Sequence, residues 1–146
     1  MLDPIKPPAA RRPEEALELV SQALSDGDLE AALAQYEGQA LLSCWPQLAR
    51  RGDGDIRGAL ASFMALRLPL SVRITTVLQT PDLALVICER RVAGTSADGD
   101  PVRLGGPGCA VLRPQPDGSW RIAADAWHLG PELVPVPPGL AQLSDS

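Results

Sequence analysis

The stretch SWRIAADAWHLG, near the carboxyl end of the chain, places a carboxylate, a tryptophan and the chain's only histidine within four residues. Side chains alternate between the two faces of a strand, so Asp125 and Trp127 should share one face and His128 should lie on the other. A carboxylate between small residues can act as a general acid or base if it faces an apolar pocket. Asp125 is therefore the first catalytic candidate, and the alternative is a structural carboxylate paired with an arginine such as Arg103 or Arg113, or one on the solvent-exposed face.

Glu89 is the second candidate for an acid or base. It ends the apolar part of a predicted strand, where it could point inward at the open end of a pocket. The alternative is an ion pair with a neighbouring arginine at the sheet edge. Arg90 and Arg91 must point to opposite faces, so at most one of them can line a pocket.

Metal and thiol chemistry have little support in the sequence. A lone histidine with no second histidine or nearby cysteine makes a poor metal site, so His128 is read as a surface residue and no metal is predicted. Cys44, Cys88 and Cys109 are widely spaced, which is typical of reduced, mostly buried thiols in a cytoplasmic protein. Cys44 has no base close by in sequence to lower its pKa, so it is predicted to be inert.

Composition limits the classes of partner. The net charge is −5, and the basic residues form nothing larger than pairs, so we predict no nucleic-acid binding. No apolar run approaches the 18 or so residues of a membrane span, and the first residues do not resemble a signal peptide. We therefore expect a cytoplasmic protein with no membrane contact and no cofactor.

Turn and period signals divide the chain into one domain with two extensions. We predict a flexible Pro-rich arm over 1–12, the domain over 13–129 and an extended Pro-rich tail over 130–146. The glycines of 105–108 predict a bulge or bend. Apolar periodicity, caps and turns predict helices over 13–24, 29–36 and 55–66, and strands over 39–45, 70–76, 83–92, 102–113 and 119–129.

This order of elements predicts an α+β domain with three N-terminal helices packed on one face of a curved antiparallel sheet. Such an arrangement leaves a pocket between the helices and the concave face. Of the five aromatic residues, Trp120 should lie with Ile122 on the face opposite Asp125, as core or interface packing. Trp127 is read equally as a pocket floor or as a core or interface residue. The predicted pocket lining is Tyr36, Trp45, Phe63, Asp125 and Trp127.

An ordered set of motifs resembles the NTF2-like superfamily, in its SnoaL-like or ketosteroid-isomerase-like branch of small bacterial proteins. The resemblance covers about residues 13–129. It implies a cone-shaped barrel with an apolar pocket, usually in a homodimer joined through sheet faces, and uses that range from isomerases and dehydratases to simple binding domains. The motifs are DGDLEAA at 26–32 followed by Tyr36, GDIRGA at 54–59, DLALV at 82–86, VLR at 111–113, and PDGSWRI at 116–122 followed by Asp125.

The resemblance also allows the isomerase chemistry to be tested by position. That chemistry uses a carboxylate base, with a tyrosine and a protonated carboxylic acid that hold the developing oxyanion. By alignment to the family motifs, the tyrosine's place falls on Val20, the base's place on Cys44 and the acid's place near Gly108 or Cys109, and none of these residues can do the work. Tyr36 matches an accessory pocket tyrosine. Scytalone-dehydratase-type chemistry needs several inward histidines and tyrosines, and this chain has one of each.

Three functions remain open at the level of sequence. The first is a homodimer that binds a small apolar or amphipathic molecule in its pocket without catalysis. The second is a cofactor-independent lyase or isomerase that uses Asp125 or Glu89 as its acid or base. The third is a dimeric interaction module whose pocket is vestigial and filled by side chains.

Overall fold

The structure is a computed structural model that describes residues 7–45 and 48–131, without the side chains of Trp45, Leu48 and Pro131. In these ranges a mixed seven-stranded sheet carries three helices, which makes the fold α+β. The elements in chain order are α1 (Pro13–Asp26), α2 (Leu29–Leu33), β1 (Tyr36–Trp45), β2 (Leu48–Arg51), α3 (Gly52–Met64), β3 (Leu70–Gln79), β4 (Ala84–Thr95), β5 (Pro101–Pro114), β6 (Trp120–Trp127) and β7 (Gly130–Pro131).

The sheet is curved and mixed, where the sequence predicted an antiparallel one. Its strand order is β2-β1-β6-β5-β4-β3, with β7 paired to β5. The pairing of β1 with β6 is parallel, and every other pairing is antiparallel. A parallel neighbour requires a long connection. Here that connection contains α3 and four strands, a non-local pairing that local patterns do not encode.

Near the ends of α1 and α2, side chains and backbone groups form hydrogen bonds with the N–H and C=O groups that a helix leaves unpaired at its termini. Glu15 accepts hydrogen bonds from the backbone N–H groups of Arg11 and Arg12, and α1 ends at Gly27 with a φ of 77°. The Asp28 carboxylate accepts from the Ala31 N–H at 3.1 Å and caps α2. Both helices therefore start where the sequence predicted.

Several boundaries differ from the prediction, including one in α2 and one in α3. Helix α2 ends at Leu33, so Tyr36 opens β1 and is not the last residue of a helix. Helix α3 begins at Gly52, three residues before the predicted cap at Asp55. The strand β2 was not predicted at all, because its four residues carry too little alternation to be recognised.

The core lies between the helices and one face of the sheet, which we call the inner face. Helix α1 packs on β3 and helix α3 packs on β1. Burying each large aliphatic side chain stabilises the fold by about 1.5–3 kcal/mol. The side chains that fill this layer most completely are Leu17 and Val20 of α1, Leu42 of β1, Ile56 and Leu60 of α3, Val86 and Val92 of β4, Leu112 of β5 and Ile122 of β6.

A β-bulge in β6 changes which residues face the core. The register against β5 pairs Val111 with Ala124 but Leu112 with Ile122, so Ala123 is an extra residue. A bulge shifts the alternation of side chains by one position. Trp120, Ile122, Asp125 and Trp127 are therefore all buried on the inner face, and the prediction that the first two oppose Asp125 is wrong.

The glycines of 105–108 have a different role from the predicted bulge. The register of β5 against β4 continues through them without a shift. At this point β5 exchanges its other neighbour, from β6 to β7. A Cβ on Gly106 would overlap the carbonyl oxygen of His128, so glycine is needed for the close approach of two backbones.

The predicted extensions are only partly within the described residues. Ala10 is buried and forms a bridge with Trp120, while the Gln35 amide donates to the Pro8 carbonyl at 2.7 Å. Gly130–Pro131, the start of the predicted tail, forms β7. Residues 1–6 and 132–146 lie outside the described residues. None of the helices within 7–45 and 48–131 has the length and apolar character needed to cross a membrane.

Candidate functional site

Five side chains meet on the inner face, and we call them the interior cluster. They come from four elements: β1, α3, β4 and β6. The cluster contains a buried ion pair, whose arginine and aspartate side chains are 2% and 0% exposed. Its members are Tyr36, Phe63, Arg90, Asp125 and Trp127.

Asp125 is the hydrogen-bond acceptor at the centre of this cluster. Its Oδ2 accepts from the Tyr36 hydroxyl and from the Trp127 indole N–H, each at 2.8 Å. Nη2 of Arg90 lies 3.2 Å from Oδ1 and 3.4 Å from Oδ2. Both carboxylate oxygens are therefore engaged by side chains of the chain itself.

Arg90 reaches Asp125 by crossing β5 at a glycine. Arg90 pairs in register with Gly106 of β5, and Asp125 pairs with Ala110 of the same strand. Gly108 lies between those two positions on the inner face. A Cβ there would lie 2.6 Å from Nη1 of Arg90, so the guanidinium occupies space that any other residue would fill.

The indole of Trp127 fixes the orientation of this guanidinium. The Cζ of Arg90 lies 4.5 Å from the ring centroid, a cation–π contact in a desolvated site. Phe63 of α3 meets Trp127 edge-on, with centroids 5.4 Å apart and planes at 84°. Such aromatic pairs contribute about 0.5–1.5 kcal/mol beyond their buried area.

Nη1 of Arg90 is the unsatisfied group of the cluster. It is buried and has no hydrogen-bond partner in the described part of the chain. Burial alone would lower the pKa of Arg90, but the negative charge of Asp125 and further contacts outweigh it and raise that pKa. The guanidinium is therefore charged, and a buried charged donor without an acceptor is costly.

Three other ionisable groups at this position stay protonated. Burial first, and then the charge of Asp125, raise the pKa of the Tyr36 phenol well above its ordinary value. Burial is also the main cause that raises the pKa of the Cys44 thiol to about 12 and the pKa of Cys88 above its usual range. Tyr36 is thus a hydrogen-bond donor, and neither thiol is a ready nucleophile.

The remaining predicted site residues lie elsewhere. Glu89 is on the opposite, outer face of β4, where its Oε2 is 2.8 Å from Nη2 of Arg73 and both side chains are exposed. It does not reach the interior cluster. His128 is exposed just beyond the end of β6. The side chain of Trp45 lies outside the described residues.

The arginine that pairs with Asp125 is the residue that sequence reasoning missed. The prediction named Arg103 and Arg113 only as examples of a partner, and Arg113 contacts Glu37 at 2.9 Å. The signal was available in β4, where Arg90 alternates in phase with Val86, Cys88 and Val92, all of them buried. An arginine in phase with a core row points to a buried counter-ion on a neighbouring strand.

Other candidate sites are weaker. A groove of about 320 Å³ adjoins Tyr36 at the start of β1, but its charges compensate one another, since Arg57 is paired with Glu30. Within residues 7–45 and 48–131, no three histidine, cysteine or acidic side chains are placed to bind a metal ion. Cys109 is exposed on the outer face of β5.

Comparison with known proteins assigns the fold. No protein-family profile matches the sequence, and no curated protein does. Solved structures do match: a ketosteroid isomerase-like protein from Erwinia carotovora atroseptica has a TM-score of 0.68 and 23% identity over 78% of this chain and 90% of its own. A conserved protein from Planctomyces limnophilus has a TM-score of 0.73 and 16% identity over 82% and 94%.

A protein of the NTF2-like family from Streptomyces avermitilis is similar to the same extent. Its TM-score is 0.67, and its identity is 22% over 83% of this chain and 94% of its own. These identities are low, so the likeness concerns the fold and not the chemistry. The chain has an NTF2-like fold, as the resemblance of its motifs implied.

Proposed function

From this NTF2-like fold, we propose that the protein binds a small apolar or amphipathic molecule between its helices and the inner face of a cone-shaped sheet, without a cofactor. The observation that carries the proposal is the buried Nη1 of Arg90, which has no acceptor among the described residues. A ligand oxygen at this atom would satisfy it. The ring of Trp127, which lies against the guanidinium, and the ring of Phe63, which meets Trp127 edge-on, would offer apolar contact to the body of such a molecule.

Catalysis by Asp125 has less support. A general base needs an acceptor oxygen within about 2.6–3.2 Å of the proton that it removes. Both oxygens of Asp125 are already occupied by Tyr36, Trp127 and Arg90. The geometry therefore favours Asp125 as a positioning residue, which holds the guanidinium of Arg90 toward the ligand.

The names of similar structures are consistent with this proposal but add little weight. One is called ketosteroid isomerase-like and another belongs to the NTF2-like family. Proteins of one fold carry out unrelated functions, so the support for ligand binding comes from Arg90 and not from these names.

Native mass spectrometry of the purified protein, before and after denaturation, tests the proposal. We expect a small-molecule adduct that disappears on denaturation and whose occupancy falls in Arg90→Lys. Arg91→Lys is the matched control, because Arg91 is exposed on the outer face of the same strand. An adduct retained equally by both variants would place the ligand elsewhere and contradict the proposal, as would protein that carries no adduct and takes up none from a cell extract.

A second candidate function, a dimeric interaction module, is favoured by an apolar row on the outer face. The register aligns Leu41, Ala124, Val111, Leu85 and Leu78 across five strands. Leu41 and Leu78 are 39% and 58% exposed. Contiguous exposed apolar surface of this kind is typical of protein interfaces.

The occupant that we propose for this outer row is a second copy of the chain. Beside the row, Arg73 and Glu89 place both signs of charge on the same face. A face with an apolar centre and paired charges of both signs can be complementary to itself about a two-fold axis. Homodimer formation and ligand binding are compatible, since they use opposite faces of the sheet.

A further inference from the structure

The charge balance of the interior cluster restricts the chemistry of the ligand. Resting on the binding function proposed above, we infer that the molecule at Arg90 is uncharged and presents a carbonyl-type oxygen to Nη1. Arginine is commonly a receptor for carboxylates, which accept both of its parallel N–H groups. Here the positive charge of Arg90 is already compensated, because Nη2 lies 3.2 Å from Oδ1 of Asp125.

A carboxylate ligand would add a second negative charge to a site with one positive charge. Among the described residues, the ionisable groups that act on Arg90 are Asp125, Cys88 and Tyr36; only Asp125 carries a charge, and none of the three can supply a positive one. Since both partners of the ion pair are almost fully buried, the unbalanced charge would have no water to screen it. A neutral oxygen uses the free donor and leaves the charge balance unchanged.

The surroundings of Nη1 indicate a flat apolar body attached to that oxygen. The guanidinium is held between Gly108 and the ring of Trp127, with Phe63 edge-on to the same ring. Aromatic rings favour stacked or edge-on neighbours. An aryl ketone, ester or amide meets both requirements, with its carbonyl at Nη1 and its ring against the aromatic side chains.

Three probes of nearly equal shape distinguish a neutral carbonyl ligand, a carboxylate ligand and a ligand held by apolar contact alone. They are acetophenone, benzoate and ethylbenzene, titrated by calorimetry into the full chain at neutral pH. We expect acetophenone to bind about 10-fold or more tightly than ethylbenzene, the size of effect that a hydrogen bond to a charged group produces. We expect benzoate to bind at least about 10-fold more weakly than acetophenone.

Two variants test whether Nη1 of Arg90 causes the preference for acetophenone over ethylbenzene. Arg90→Lys keeps a positive charge beside Asp125 but lacks the second guanidinium nitrogen, so the preference for acetophenone over ethylbenzene should fall to about 3-fold or less. Arg91→Lys, on the outer face, should keep the full preference. If Arg90→Lys does not fold, the side-chain N–H resonances of Arg90 in the unmodified protein should shift with acetophenone and not with ethylbenzene.

The outcomes separate this inference from the function on which it rests. Benzoate binding as tightly as acetophenone would overturn the neutral-ligand assignment, and ethylbenzene binding equally well would remove the role of Nη1. Either result would leave ligand binding inside the sheet intact. Failure of all three probes would also overturn the inference, while the adduct detected by mass spectrometry would decide the proposed function independently.

Discussion

Gly108 is the residue on which the geometry of the interior cluster depends most directly. A side chain at this position would meet Nη1 of Arg90 at 2.6 Å and the Ala126 carbonyl oxygen at 2.9 Å. The ion pair with Asp125 therefore exists only because β5 has no side chain there. Sequence reasoning assigned this glycine to a bend, because it could not know which side chain crosses above it.

Replacing Gly108 with alanine should destabilise the protein by about 1–3 kcal/mol, since the added Cβ would displace the guanidinium of Arg90 and press on the Ala126 carbonyl oxygen. Gly58→Ala is the matched control: Gly58 lies in α3 with open space around its Cα, so we expect stabilisation by about 0.5–1 kcal/mol. Urea unfolding measures both changes. A Gly108→Ala protein as stable as the unmodified one would contradict the crossing of Arg90 over β5.

The buried thiol of Cys44 predicts a loss of stability at alkaline pH. Its pKa is about 12 in the folded chain and about 8.5 in an unfolded one. Between these values the unfolded state releases a proton that the folded state keeps, so the free energy of unfolding falls as pH rises, by about 1.4 kcal/mol per pH unit. Below about pH 8 this contribution is constant.

In Cys44→Ala the free energy of unfolding should fall less steeply with pH between about 9 and 10, by about 1.4 kcal/mol per pH unit. This difference in slope does not depend on the effect of the substitution at neutral pH. Cys109→Ala is the control, because Cys109 is exposed on the outer face. Urea unfolding at several pH values gives the slopes. Equal slopes for Cys44→Ala and the unmodified protein would show that this thiol ionises normally in the folded chain.

At the scale of single residues, the predicted pocket lining and the interior cluster share Tyr36, Phe63, Asp125 and Trp127. That these residues line a ligand pocket stays a prediction. Arg90 was overlooked as the partner of Asp125 because arginine is usually exposed, although it alternates in phase with the buried residues of β4. Glu89 does not join the cluster, because it lies one position out of phase with the buried residues of β4 and therefore points to the outer face.

Among the secondary-structure elements, β6 decides which side chains enter the interior. Its existence and its two-residue period were predictable from the alternating pattern. Its bulge was not, because nothing in the alanine-rich segment marks Ala123 as unpaired; the extra residue is visible only in the pairing with β5. Without it, Ile122 and Asp125 could not both be buried.

Deleting Ala123 should therefore be strongly destabilising, since it would turn either the Trp120–Ile122 part or the Asp125–Trp127 part of β6 away from the core. We expect loss of cooperative unfolding, or a decrease of several kcal/mol, measured by circular dichroism during urea unfolding. Deletion of Ala97, in the exposed turn before β5, is the control and should be tolerated. A ΔAla123 protein with unchanged stability would refute the bulge.

For the molecule as a whole, the α+β class and the order of elements were predictable from caps, turns and periodicity. The parallel pairing of β1 with β6 and the short β2 were not, because both depend on contacts between distant segments. The alternation in the sequence predicted two distinct faces of the sheet, but it did not predict which groups each face carries. The inner face carries the interior cluster, and the outer face carries an exposed apolar row.

With the outer row as the proposed dimer interface, one charged side chain introduced beside the row should prevent dimer formation. Ile87 lies beside the row and is 37% exposed, so Ile87→Lys should yield a folded monomer because a lysine would be buried in the apolar contact. Ser71→Lys introduces the same charge on an exposed part of β3 away from the row and should remain dimeric. Sedimentation velocity distinguishes the states. An unmodified protein that sediments as a monomer at every concentration would contradict the proposed interface.

The central claim is that Nη1 of Arg90 is the atom that binds the ligand, while Asp125 only positions it. A crystal structure of the full chain grown with acetophenone tests this most directly. We expect the ketone oxygen within hydrogen-bond distance of Nη1, about 2.7–3.2 Å, with Asp125 still bonded to Tyr36 and Trp127. Nη1 bonded instead to a water or to a protein oxygen, with the ketone absent or bound elsewhere, would contradict the claim.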